Sequence, residues 1–277
     1  MLRSVSCLAI CALLTVVGAR PANADDAAFG PVQTLTTADN VSFSILGKKP
    51  KKPAPTLFVF ALDAQRTLNS GGYRQAANFL AQQGYVCVSL DLPCHGKQRR
   101  PGEAAEIKGW RQRADAGENF MDEFTAQASR VLDYLIEEQY ADPARVAACG
   151  TSRGGFSACH FAIADPRVKC VATYIPVADL RSLREFQGAN NAPLLASLSL
   201  IECADKLANR GVWISIGDRD ERVSTDRAIE LARALSAAAN GPSRNIELHV
   251  SSTEGHSTPP DAPRASAVWI DGILAGK

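Results

Sequence analysis

Cys149-Gly150-Thr151-Ser152-Arg153-Gly154-Gly155-Phe156 is the stretch whose reading decides the rest of this 277-residue chain. Within it, Gly150-x-Ser152-x-Gly154 has the pattern of a nucleophile elbow, a serine raised on a tight strand-to-helix turn. Ala144–Cys149 before it is a short apolar run suited to a buried strand. Phe156–Ala164 after it is a small-residue run suited to a helix that ends before Pro166. The physics of such a turn calls for glycine. The serine backbone is strained, and its neighbours two positions away must lack a Cβ for strand and helix to pass so closely. The turn lifts the hydroxyl above the sheet, and the helix N-terminus beneath it offers free N–H groups and a positive dipole end. The bare motif arises by chance; the strand before and the helix after give it weight over an ordinary glycine-rich turn.

Working outward, the sequence alternates strand-like and helix-like segments. Two short runs between Pro31 and Leu46 flank Ala38-Asp39-Asn40, a hairpin signal. Thr56–Ala61, Tyr85–Leu90, Val168–Ile175, Gly211–Gly217 and Asn245–Val250 are apolar runs of the kind buried in a parallel sheet. Helices are expected over Tyr73–Gln83, Asn119–Tyr140, Ala178–Phe186, Ala192–Asn209 and Thr225–Ala239, with a last one opened by Pro259-Pro260. The helix 119–140 has the clearest stripe, Phe120, Phe124, Ala128, Val131 and Leu135. This order implies an α/β fold: eight strands in a mostly parallel sheet with helices on both faces. Lys97–Gly117 is polar and unperiodic, with Trp110 its one large apolar residue. It is read either as a lid or substrate rim touched by Trp110, or as a surface loop with Trp110 packed inward.

The first 24 residues read as a leader. Arg3 gives a positive start, Cys7–Val17 an apolar run, and Ala22-Asn23-Ala24 a small-residue cleavage signal. A membrane anchor needs about 18–20 apolar residues, more than this run has. The expectation is export, secreted or periplasmic, with residues 25–277 as one catalytic domain and no stable membrane insertion. The 30 Lys and Arg and the 29 Asp and Glu nearly cancel. No basic field argues for nucleic acid, and Lys48–Pro53 reads as a solvated loop. Six cysteines lie beyond the leader: Cys87, Cys94, Cys149, Cys159, Cys170 and Cys203. An oxidising compartment makes one or two disulfides plausible, although Cys87, Cys149 and Cys170 sit in strand-like runs as small hydrophobes do. With no C-x-x-C, a metal or redox reading is poor.

A serine hydroxyl needs a base to take its proton and a third group to hold that base. Four histidines compete. His249 is mid-strand, and His160 lies two turns along the elbow helix, where a core role fits. His95 follows a strand upstream of the serine. His256 lies in a loop after the last strand, at the end of the sheet where such folds place their sites, and it completes the chain order serine, acid, histidine. The acid is sought after the penultimate strand, where Asp218, Asp220 and Glu221 are available. Asp220 is favoured over Asp218, because the turn into Val223 can bury it against the imidazole.

Gly150–Gly154, Asp91-Leu92-Pro93-Cys94-His95-Gly96, Gly217–Val223 and Gly255-His256 fall in the order and spacing of the alpha/beta-hydrolase superfamily. Over residues 31–277 the chain resembles its single-domain bacterial members, near the prolyl oligopeptidase, acetyl esterase and dienelactone hydrolase branches. The resemblance implies that Asp220, fourth in a G-x-x-D-x-x-V segment, is the acid, and that His95 is scaffold. It also implies an oxyanion hole. The Arg153 amide would be one donor and the amide of Leu62 or Asp63 the other, because Ala61-Leu62-Asp63-Ala64 stands where many relatives carry His-Gly. The implied activity is a serine hydrolase, an esterase for small or sugar-linked acyl esters, working without metal or organic cofactor. A peptidase of the prolyl oligopeptidase type and a catalytically silent binding protein are the rival readings. The partner is a small-molecule ester or a peptide substrate, and the charged Lys97–Gly117 segment argues against a wide greasy entrance.

Overall fold

The structure, a computed structural model, describes residues 29–239 and 245–276; the expected leader and its cleavage point after Ala24 lie outside the described residues. Eight strands form one sheet: β1 Val32–Thr36, β2 Ser42–Leu46, β3 Ala54–Phe60, β4 Val86–Leu90, β5 Ala141–Thr151, β6 Val168–Tyr174, β7 Gly211–Arg219 and β8 Ile246–Glu254. Their spatial order is β1-β2-β4-β3-β5-β6-β7-β8. β2 runs against both its neighbours, and every pairing from β4 to β8 is parallel. The central strands are apolar on both faces, as a sheet covered on both sides requires.

The helices are α1 Ala64–Asn69, α2 Gly71–Arg74, α3 Ala77–Leu80, α4 Glu106–Asp115, α5 Phe120–Glu137, α6 Arg153–Ala164, α7 Ala192–Leu198, α8 Ala204–Leu207, α9 Thr225–Ala238 and α10 Ala262–Leu274. On one face Phe58 and Phe60 meet Phe124 of α5 and Phe161 of α6, with Leu231 and Leu235 of α9 in the same core. On the other face Leu57, Val59, Tyr174 and Trp213 pack under α3 and α10 through Leu80, Ala267 and Ile270.

Three expected helices are broken. Tyr73–Gln83 splits at Gln75, which takes φ 51° and ψ −121° and separates α2 from α3. Ala178–Phe186 is two 3-10 turns, Leu180–Ser182 and Arg184–Phe186. There the buried Asp179 carboxylate accepts from the Arg181 amide and its guanidinium, a side-chain turn that competes with the helix. Ala192–Asn209 divides into α7 and α8 because Ser199 turns to extended backbone and Leu200 N–H donates to the Ala178 carbonyl at 3.0 Å. The expected disulfides are absent: all six described cysteines are free and buried. They act as small core hydrophobes, and burial pushes the Cys87 and Cys159 thiols up to about 12.

Candidate active site

Ser152 leaves β5 and enters α6 with φ 55° and ψ −116°, a strained conformation for a side chain with a Cβ. The two flanking glycines make it possible. A Cβ on Gly150 would overlap the Gly154 carbonyl, and one on Gly154 would overlap the Phe60 carbonyl at the end of β3. The turn is pinned from below by Ser152 N–H donating to the Tyr174 carbonyl at 2.8 Å. Val177 N–H donates to the Ser152 carbonyl at 3.2 Å.

Asp220 follows β7 and His256 follows β8, so three strand ends bring the expected residues to one rim. The Ser152 hydroxyl donates to His256 Nε2 at 2.9 Å, and His256 Nδ1–H donates to Asp220 Oδ2 at 2.8 Å. That tautomer leaves Nε2 as the acceptor a base must present. The Asp220 side chain is fully buried, and its other oxygen accepts from the amides of Arg222 and Val223 at 2.9 and 3.2 Å. Thr225 braces the turn, donating to the Gly217 carbonyl at 2.6 Å. Asp218, the alternative acid, is half-exposed and faces Arg219 and the Thr253 amide instead. His160 is a core residue: its Nε2–H donates to the Leu198 carbonyl at 3.1 Å and its ring packs on Phe156. His249 is exposed and pairs with Glu247.

Arg153 opens α6, so its amide has no acceptor within the helix. Asp63 is the N-cap of α1, and its amide is likewise outside that helix's own bonds. The Leu62 amide, by contrast, is committed to Thr67 Oγ1 at 3.1 Å. Of the two candidates in this loop, Asp63 is the one with a donor to spare.

Trp110 is no substrate rim. It is fully buried on α4, its indole N–H donates to the Pro93 carbonyl at 2.6 Å, and its ring lies 5.0 Å from Phe120 and 5.8 Å from Phe156. The same helix is locked to the preceding loop by Arg113, whose guanidinium donates to both oxygens of Glu103 at 2.6 and 3.0 Å. The side-chain hydrogen bond from Arg113 holds the Glu103 carboxyl at about 2.

Sequence reasoning missed Glu106. Its carboxylate accepts from Arg153 Nη1 at 2.6 Å, and His95 Nε2 accepts from the same nitrogen at 3.0 Å. His95 Nδ1–H donates to the Pro93 carbonyl at 2.8 Å, which fixes the tautomer. Burial, reinforced by the Arg153 cation, keeps His95 below its ordinary value. Burial works against the ionised form of Glu106, but the Arg153 hydrogen bond and charge still bring its carboxyl below the usual range. Among the described residues there is no group of three or more His, Cys, Asp or Glu side chains able to hold a metal, and no helix long and apolar enough to cross a membrane.

A serine polarised by a carboxylate-held imidazole is the arrangement that transfers acyl groups through a covalent intermediate. Comparison with known proteins places it in a family. A search of curated protein sequences gives no match. The fold is similar to TT1662 from Thermus thermophilus, with a TM-score of 0.67 at 19% identity over 90% of this chain and 100% of that one. It is similar to dipeptidyl peptidase 4 of Porphyromonas gingivalis, with a TM-score of 0.62 at 19% identity, over 90% of this chain but 36% of the peptidase. Acetyl xylan esterase 1 from Thermoanaerobacterium sp. JW/SL YS485 matches with a TM-score of 0.62 at 14% identity, over 87% of this chain and 82% of the esterase. The model of the prolyl oligopeptidase family matches residues 72–271, well over half of the sequence. The chain is a serine hydrolase with an alpha/beta-hydrolase fold, and it belongs to the prolyl oligopeptidase family.

Proposed function

We propose that this serine hydrolase is an exported esterase that cleaves small or sugar-linked acyl esters. Ser152 attacks the ester carbonyl while His256 takes its proton, and Asp220 holds the His256 tautomer and offsets the imidazolium charge. The Arg153 and Asp63 amides receive the oxyanion, the alcohol leaves with the proton from His256, and water releases the acyl group by the same steps in reverse order. The observation that carries this reading is the Ser152–His256 bond of 2.9 Å backed by the Asp220–His256 bond of 2.8 Å. The likeness to an acetyl xylan esterase supports an ester substrate. The polar edge around Arg153 and Glu106 favours a short acyl group over a long apolar one. Export rests on the Cys7–Val17 run and Ala22-Asn23-Ala24.

The test is a substrate panel: p-nitrophenyl acetate and octanoate, acetylated sugars, long-chain triacylglycerol and aminoacyl p-nitroanilides. Acetyl esters should turn over fastest. Ser152→Ala should lose at least about 10⁴-fold in kcat and all labelling by a fluorophosphonate probe. Cleavage of the anilides with no esterolysis would replace the esterase reading by the peptidase one.

A further inference from the structure

Thr151 precedes Ser152, and Thr258 follows His256 by two residues; one side chain touches both. Gln75 Nε2 donates to Thr151 Oγ1 at 2.9 Å and to the Gly72 carbonyl at 2.7 Å, and Thr258 Oγ1 lies at 3.2 Å from the same nitrogen. Two protons therefore serve three acceptors, one of them shared. Gln75 is 2% exposed and sits between two short helices with φ 51° and ψ −121°. A residue needed only to fill the core gains nothing from that backbone. Strained conformations persist where the surroundings over-determine them, and here the strain aims the amide between the nucleophile turn and the histidine loop.

The sheet itself supplies no direct connection between those two parts. β5 and β8 are separated by β6 and β7, and the pairing of β7 with β8 ends at Arg219 and Glu254, before His256. The next residue extends the same strut. Ala76 N–H donates to Tyr174 Oη at 3.3 Å, Tyr174 Oη is 2.6 Å from Ser266 Oγ in α10, and the Tyr174 carbonyl holds the Ser152 amide. Residues 75 and 76 thus join the underside of the elbow to Thr258 and, through Tyr174, to Ser266, both on the C-terminal side of His256.

We propose that Gln75 is a positioning residue that fixes the separation of Ser152 and His256; the proposal rests on the hydrolytic reading of those two residues. The experiment is steady-state kinetics of the full chain on p-nitrophenyl acetate, with rates normalised to sites titrated by a fluorophosphonate. Wild type must turn over and Ser152→Ala must not, which tests the hydrolytic reading separately. Gln75→Ala should then lower kcat about 10- to 100-fold, the scale of an ångström of misplacement, with KM within about twofold. Thr258→Val, a change on a half-exposed residue, covers the case in which Gln75 variants fold poorly: it should lower kcat while leaving the melting temperature unchanged. Combined with Gln75→Ala, it should cost less than the product of the two single effects. The proposal is overturned if titrated Gln75→Ala keeps kcat within twofold of wild type, or if Thr258→Val and Gln75→Ala multiply independently.

Discussion

Ser152 and Gln75 share almost the same backbone conformation, φ 55° with ψ −116° and φ 51° with ψ −121°, yet the molecule holds them there by opposite means. At Ser152 the work is done by main chain. Gly150 and Gly154 let β5, α6 and the end of β3 approach within a distance no Cβ allows, and backbone bonds to Tyr174 and Val177 close the turn. At Gln75 a side-chain amide on Gly72, Thr151 and Thr258 holds the turn. Each such residue costs about 1–3 kcal/mol. Strain stored in close-packed backbone must be written in glycine, whereas strain held by a side chain leaves no composition signal.

The largest effect expected from this contrast comes from adding one methyl group to each turn. Gly154→Ala drives a Cβ into the Phe60 carbonyl, and backbone cannot move aside as a side chain can. It should remove more than about 4 kcal/mol of stability, read as a lost or strongly lowered urea midpoint and no fluorophosphonate labelling. Gly72→Ala, beside Gln75, meets only Ser70 Oγ at 3.8 Å. It should leave stability within about 1 kcal/mol, on the stabilising side through helix propensity. A soluble, labelled Gly154→Ala protein would break the comparison.

Acid should loosen the two turns unequally. The helix that begins at the nucleophile carries His160, whose pKa burial lowers to about 4, with Lys206 adding to it, against an ordinary value near 6.5. The folded state binds fewer protons than the unfolded chain between those values, so stability is complete above pH 6.5 and is lost as pH falls toward 4. The loss approaches about 3 kcal/mol at the lower end. The acceptors around Gln75 are a carbonyl and two hydroxyls, which do not titrate there. Urea midpoints at pH 7, 5.5 and 4.5 should fall steeply in wild type. They should fall less in His160→Gln, which can still donate to Leu198. Parallel slopes in the two proteins would remove His160 from the account.

The same contrast explains what could be read from residue order. The elbow was legible because Gly150 and Gly154 announce it. Asp220 and His256 were legible because chain order and strand ends fix where an acid and a base must stand, and the alternating apolar runs gave the eight strands. Side-chain-driven features were opaque. Nothing in Tyr73–Gln83 marks the break at Gln75, and Asp179 ended a helix that the apolar pattern supports. The polar Lys97–Gly117 segment left two readings of Trp110 open, rim or inward-packed; it is buried because Arg113 and Glu103 neutralise one another beside it and Arg111 donates to carbonyls at 185, 187 and 188. Cysteine count suggested bridges, but pairing depends on distance, and all six described thiols are free and buried, four on strands or α6 and Cys94 and Cys203 in turns.

The smallest effect expected comes from the opposite flank of the nucleophile, where a side-chain pair is present but holds no turn. Glu106→Gln removes the charge partner of Arg153, whose guanidinium keeps His95 Nε2 as an acceptor. The Glu106 side chain is 40% exposed, so water and salt already screen the pair and its loss should cost about 1 kcal/mol or less. The Arg153 amide is set by α6 and not by the guanidinium, so kcat on neutral acetyl esters should change less than about fivefold, an upper bound set by that energy. Anionic esters should gain in kcat/KM at low salt, since the cation is now uncompensated, and the gain should fade as ionic strength rises. If Glu106→Gln lowers kcat on a neutral ester as far as Gln75→Ala does, the distinction between a side chain that sets the nucleophile's geometry and one that merely borders it fails. Glu106 would then belong with Gln75.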